Sequence, residues 1–212
     1  MVVPYNGKYA CEVPRSASRW HPWDWECFQK PDADDWKTIT MSLSIEEVDK
    51  IFSELNQFRV PDDHRGNAQK NEFWKIEEAE LADAEKRMGI VIPHELRRFY
   101  AKVGSGHLVR SRKGVLQTDY LNIFVDLRRL SELWLREDVS FQYDAELIAD
   151  GELPFFDMGS YSYFVLRPHS ANPNAVYAPY DKKPVSNSFN EFVLQLYQDT
   201  TFYLDHVGDY EV

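Results

Sequence analysis

The dipeptide His94-Glu95 is the nearest approach in this sequence to a zinc-protease helix, but the second metal-binding histidine would have to stand at position 98, which is Arg98. Glu95 is better read as a first-turn acid complementing a helix dipole. Gly104 and Gly106 give a GxG pair, yet a dinucleotide loop needs a preceding strand and a third glycine, and position 109 is Val109. Neither GxSxG nor a phosphate-binding P-loop occurs. Cys11 and Cys27 fit neither a CxxC redox pair nor half of a zinc site, and read as free thiols. PDADD (Pro31 to Asp35) starts like a calcium loop but lacks its central glycine and distal glutamate. His21, His64, His94, His107, His169 and His206 scatter through expected loops and ends, where structural or solvated roles are the ordinary ones. Glu80 stands out because it coincides with the apolar stripe of a predicted helix. A carboxylate there is either a buried acceptor for backbone N–H groups, the preferred reading, or part of a site. No cofactor, metal or catalytic group is therefore assigned.

Composition narrows the partners. The 212 residues carry a net charge of −11, unevenly spread. Residues 136–212 hold 13 acidic and 4 basic side chains, whereas residues 71–135 hold 10 and 11. An acidic third of this kind repels nucleic acid and can attract a basic protein. A solvated acidic surface that only aids solubility is the plain alternative. No apolar run approaches the ~18 residues of a membrane span, and the N-terminus lacks a secretory signal pattern, so a cytoplasmic protein is expected.

The elements that must position these residues follow from periodicity. Ser44 and Glu47 form a capping box ahead of Val48, Ile51, Phe52 and Leu55, predicting a helix. Pro61 to Asn71 reads as a linker. From an Asn71 cap, EFWKIEEAELADAEKRM predicts a helix with Phe73, Ile76, Ala84 and Met88 on one stripe, stopped by Gly89. Pro93 suits the first turn of the next helix, which carries Leu96, Phe99, Tyr100 and Val103. GSGHLVRSRKG (Gly104 to Gly114) reads as a flexible basic loop. VLQTDYLNIFVDL contains strand, and LRRLSELWLRED is a short helix. LPFF, YSYFVL and AVYAP read as successive antiparallel strands. A second capping box, Ser188 and Glu191, opens a helix with Phe189, Phe192, Val193, Leu196 and Tyr197. Helices, then strands, then a helix imply α+β, a mostly antiparallel sheet packed by helices. The expected division is an arm and helix over residues 1–71, a core domain over 72–204 and a tail over 205–212. Within the arm, WHPWDWECF (Trp20 to Phe28) is expected to pack on the core rather than serve as a free epitope.

The run IEEAELADAEKRMGIVIPHELRRFYAKVGSGHL resembles the N-terminal signature of the SUKH superfamily, and ELPFFDMGSYSYFVL, NAVY and SNSFNEFVLQLY resemble its later half. The likeness spans roughly Glu72 to Leu204. It implies an α+β fold supported by Ile76, Glu80, Gly89, Pro93, Phe189 and Phe192, and a role in binding rather than catalysis. Members include bacterial immunity proteins that neutralise polymorphic toxins in interbacterial competition, and fungal regulators of cell-wall synthesis that act as scaffolds.

The resulting expectation is a non-enzymatic immunity protein that binds a cognate toxin domain with a basic surface, such as a nuclease, in the cytoplasm, and contacts neither nucleic acid nor membrane. Charge and loop position select Glu137, Asp138, Asp144, Glu146, Asp157 and Asp181 as contacts, with Tyr143, Tyr161 and Tyr180 as aromatic anchors. The alternative is a regulatory scaffold recruiting endogenous partners, through the tryptophan arm among other surfaces. A hydrolase using Glu80 and a histidine is the third reading.

Overall fold

A computed structural model of the chain describes residues 44–61, 70–115, 121–137, 148–159, 162–179 and 181–204. The tryptophan arm, most of the 61–71 linker and residues 205–212 lie outside the described residues. Helix α1 (Ile45–Asn56) starts as the sequence predicts: the Ser44 hydroxyl accepts from Glu47 N–H, and the Glu47 carboxylate accepts from Ser44 N–H. Its Val48, Ile51, Phe52 and Leu55 are all buried in the common core.

The next segment departs from the predicted helix. Residues Glu72–Trp74 form strand β1, and helix α2 (Glu78–Met88) begins later, at a Glu77/Glu80 capping box. Shifting the start changes the helical phase, so α2 buries Leu81, Ala84 and Met88 while Glu80 is exposed. Glu80 is thus an exposed cap whose carboxylate accepts from Glu77 N–H at 2.7 Å, not a buried acceptor. Helix α3 (His94–Lys102) follows at once, with Pro93 as its N-cap. Glu85 ties the tight connection: its Oε1 accepts from Ile92 N–H at 3.1 Å and from Arg97 Nε at 3.2 Å.

The segment after α3 is not a flexible loop. Strand β2 (Ser105–His107) pairs antiparallel with β1. A Cβ on Gly104 would lie 1.9 Å from the Trp74 carbonyl oxygen, and one on Gly106 would lie 2.1 Å from that of Glu72. Only glycine lets the two backbones meet here. A hairpin of β3 (Arg110–Ser111) and β4 (Gly114–Val115) follows, then β5 (Ile123–Phe124), helix α4 (Leu127–Leu135), β6 (Leu153–Gly159), β7 (Ser162–Leu166), β8 (Val176–Tyr177) and helix α5 (Phe189–Gln198). At α5, Ser188 caps Glu191 N–H, while the Glu191 carboxylate accepts from Asn187 rather than from Ser188, so the predicted box is half formed.

The main sheet has the order β1-β2-β5-β6-β7-β8, all antiparallel. Residues opposite one another share a face, and the register lines up two rows. Phe73, Gly106, Phe124, Phe156 and Phe164 form one. Helices α3 and α5 cover it, with Phe99 4.5 Å from the Phe124 ring and Phe192 5.3 Å from both Phe156 and Phe164. A bulge at Phe155 interrupts the alternation, so that adjacent Phe155 and Phe156 both reach Phe192. On the other face lies a polar row of Glu72, His107, Ile123, Asp157 and Tyr163.

Both outer strands are occupied on their far sides. Phe73 N–H donates to Phe58 O and Val60 N–H to Phe73 O, while Val176 N–H donates to Ser186 O and Val185 N–H to Val176 O. Asn122, fully buried at φ 50, fastens the end of β5 by donating to Leu108 O and Thr200 O and accepting from the Tyr203 hydroxyl.

Candidate functional site

The predicted contacts that are described fall on separate elements. Glu137 follows the left-handed C-cap of α4 and is ion-paired with Arg87 of α2. Asp157 lies in β6 on the polar row, half-buried, and accepts from Gly159 N–H at 2.7 Å. Burial holds its carboxyl above the usual range, against the pull of that hydrogen bond and of Arg129. Asp181 is exposed after β8. No hydrogen bond or ion pair joins Glu137, Asp157 and Asp181 to each other among the described residues. Asp138, Tyr143, Asp144, Glu146, Tyr161 and Tyr180 lie outside those residues.

The polar row collects groups that loop position alone would not bring together. His107 is half-buried in β2, not in a loop, with the Trp74 ring 5.7 Å away. Burial lowers its pKa, opposed by Glu72, so the imidazole favours the neutral form. Arg129 of α4 donates to the Tyr163 hydroxyl at 3.2 Å. Ile123 separates His107 from Asp157 in the row, which sets the two strands about 10 Å apart. They are too far apart to share a proton directly.

Asp181 also lines a cleft of about 610 Å³ between the 149–152 turn and the exit of β7. Its lining includes Arg167, whose Nε and Nη2 donate to Glu152 Oε1 at 3.1 and 2.6 Å. The guanidinium lies over the Tyr177 ring at 4.0 Å, and its Nη2 also donates to the Asp181 carbonyl. Glu152 is 5% exposed, and its second oxygen accepts from Ala149 N–H. The sequence reading named Asp181 but missed this arrangement. The available signal was the placement of the few cations within the acidic third. Among the described residues, no group of three or more His, Cys, Asp or Glu could hold a metal ion.

Comparison with known proteins agrees with this architecture. No solved structure matches the chain. A curated relative, "Immunity protein YxxD" of Bacillus subtilis (strain 168), is 26% identical over 143 residues, which cover 66% of this chain and 92% of that protein. The family model described as SMI1 / KNR4 family (SUKH-1) matches residues 75–195, more than half of the sequence and nearly all of the sheet and its covering helices. The chain belongs to the SMI1 / KNR4 (SUKH-1) family.

Proposed function

We propose that this chain is an immunity protein that binds a cognate toxin domain in the cytoplasm and neutralises it by occupying its surface. The observation that carries the reading is the similarity to Immunity protein YxxD along 92% of that protein's length. The fold adds a constraint on how binding is achieved. The outer strands β1 and β8 are hydrogen-bonded on their far sides, which disfavours strand addition at these two edges and supports recognition through side chains. The charge of residues 136–212 favours a basic target, such as the substrate groove of a nuclease, through fast electrostatically steered association.

The test is affinity capture of partners by the tagged chain from its source cells, followed by co-expression with the toxin domain so identified. Growth should be restored, and the two proteins should co-elute as one complex. Growth arrest despite full expression of this chain would refute the reading.

A further inference from the structure

Antiparallel register puts Trp74 of β1, His107 of β2, Ile123 of β5 and Asp157 of β6 on the face of the sheet away from Phe73 and Phe124. All four keep partial exposure, whereas Tyr163, the next residue of the row, is buried. This end of the face is therefore accessible across four adjacent strands, a width of about 14 Å.

Its polar atoms are only partly used. Asp157 Oδ1 accepts from Gly159 N–H, and the second oxygen has no partner among the described residues. Arg129 acts on this carboxyl from beyond ion-pairing distance and donates to the Tyr163 hydroxyl, one strand away from the accessible end. The Trp74 and His107 rings meet edge to face at 5.7 Å, and their nitrogens make no hydrogen bond among the described residues. The sealed polar side-chain atoms without a partner there are Ser170 Oγ and Asn190 Oδ1, so the second Asp157 oxygen and the nitrogens of both rings reach solvent. A half-buried carboxylate with one oxygen unspent gains when a donor arrives.

We propose that this end of the sheet face docks a basic protein surface, with one lysine or arginine of the partner on Asp157 and an apolar side chain against Trp74 and Ile123. The partner's identity as a toxin domain rests on the proposed function, but the chemistry of the face does not. The row offers two carboxylates, Glu72 and Asp157, and an imidazole that burial keeps on the neutral side, so a cation meets attraction without an opposing imidazolium. The overall charge of −11 acts in the same direction and repels the phosphates of a nucleic acid. Trp74 supplies the aromatic surface on which interfaces concentrate their binding energy. Charge at β6 and an apolar platform from β1 to β5 thus fix register as well as attraction.

Asp157→Asn separates recognition from folding. The amide keeps an oxygen for Gly159 N–H and removes a charge that burial disfavours, so the thermal midpoint at pH 7 should hold or rise. Affinity for the purified toxin domain should nevertheless fall roughly tenfold. Trp74→Ala, its folding checked in the same way, should lose at least as much. Neutralising the toxin's matching lysine or arginine should weaken binding to the wild-type chain and add little to the Asp157→Asn loss. Wild-type affinity in Asp157→Asn would overturn the proposal while leaving the immunity reading intact. Should the wild-type chain not bind the toxin, the immunity reading fails, and the face is tested alone by NMR titration with a capped Arg-Leu-Arg peptide. Shifts at Ile123 and Asp157 that vanish in Asp157→Asn support the proposal. Absent shifts, or equal shifts with a capped Glu-Leu-Glu peptide at the same concentration, overturn it.

Discussion

Glu152 and Arg167 show how a single residue's burial decides its worth. The Glu152 side chain is 3% exposed and Arg167 neutralises it at 2.6 Å. Removing the cation leaves a buried charge unpaired, which costs far more than losing a surface ion pair. Arg167→Ala is expected to lower unfolding free energy by about 3 kcal/mol in urea titration. A loss below about 1 kcal/mol would place the pair among weak surface bridges. Gly106→Ala is expected to be worse, since the new Cβ would meet the Glu72 carbonyl oxygen at 2.1 Å and β1 would have to separate from β2. Ala at Gly151, where nothing lies within 4 Å, should cost only about 1–2 kcal/mol for its φ of +80°. Equal thermal midpoints for these two variants would contradict the close approach of the strands. Neither feature was legible as such. The Gly104-Ser105-Gly106 run looks like a loop because the reason for its glycines lies on another strand, some thirty residues earlier in the chain.

At the scale of elements, the sequence was readable wherever a local signal decided the outcome. The α1 capping box and its buried face, β6 and β7, and the apolar face of α5 follow from periodicity and caps. Strand β1 did not, because EFW continues smoothly into a helical pattern. Its conformation is set by non-local pairing, on one side with Gly106 and on the other with Phe58 and Val60. The polar row was invisible for the same reason, since register places His107 and Asp157 on one face and no spacing in the sequence reports it. His107 gives this row a measurable signature. Burial lowers its pKa below the ordinary 6.5. Between that lowered value and 6.5 the unfolded chain binds more protons than the folded chain, so stability falls as pH drops through the window. Urea unfolding from pH 7.5 downward should show this slope, and His107→Gln should flatten it. An unchanged slope would mean that His107 is not the group responsible.

For the whole molecule, architecture and charge act together. The aromatic row is sealed by α3 and α5, and the outer strands β1 and β8 are hydrogen-bonded on their far sides. Family and fold class were legible in the sequence because their signature is distributed over helix caps, glycines and core aromatics. Charge and loop position choose candidate contacts without fixing where they meet. If residues 136–146 steer a basic partner, reversing Asp144 and Glu146 to lysine should slow association several-fold and flatten its salt dependence. Unchanged association kinetics by stopped flow would remove that segment from the interface.

The central claim is neutralisation by binding, and titration of the purified chain into a fixed amount of active toxin domain tests it most directly. Activity should fall linearly and reach its floor at one chain per toxin. Full activity at excess chain would contradict the account, and so would complete loss at a small fraction of one equivalent, which would point to catalytic inactivation.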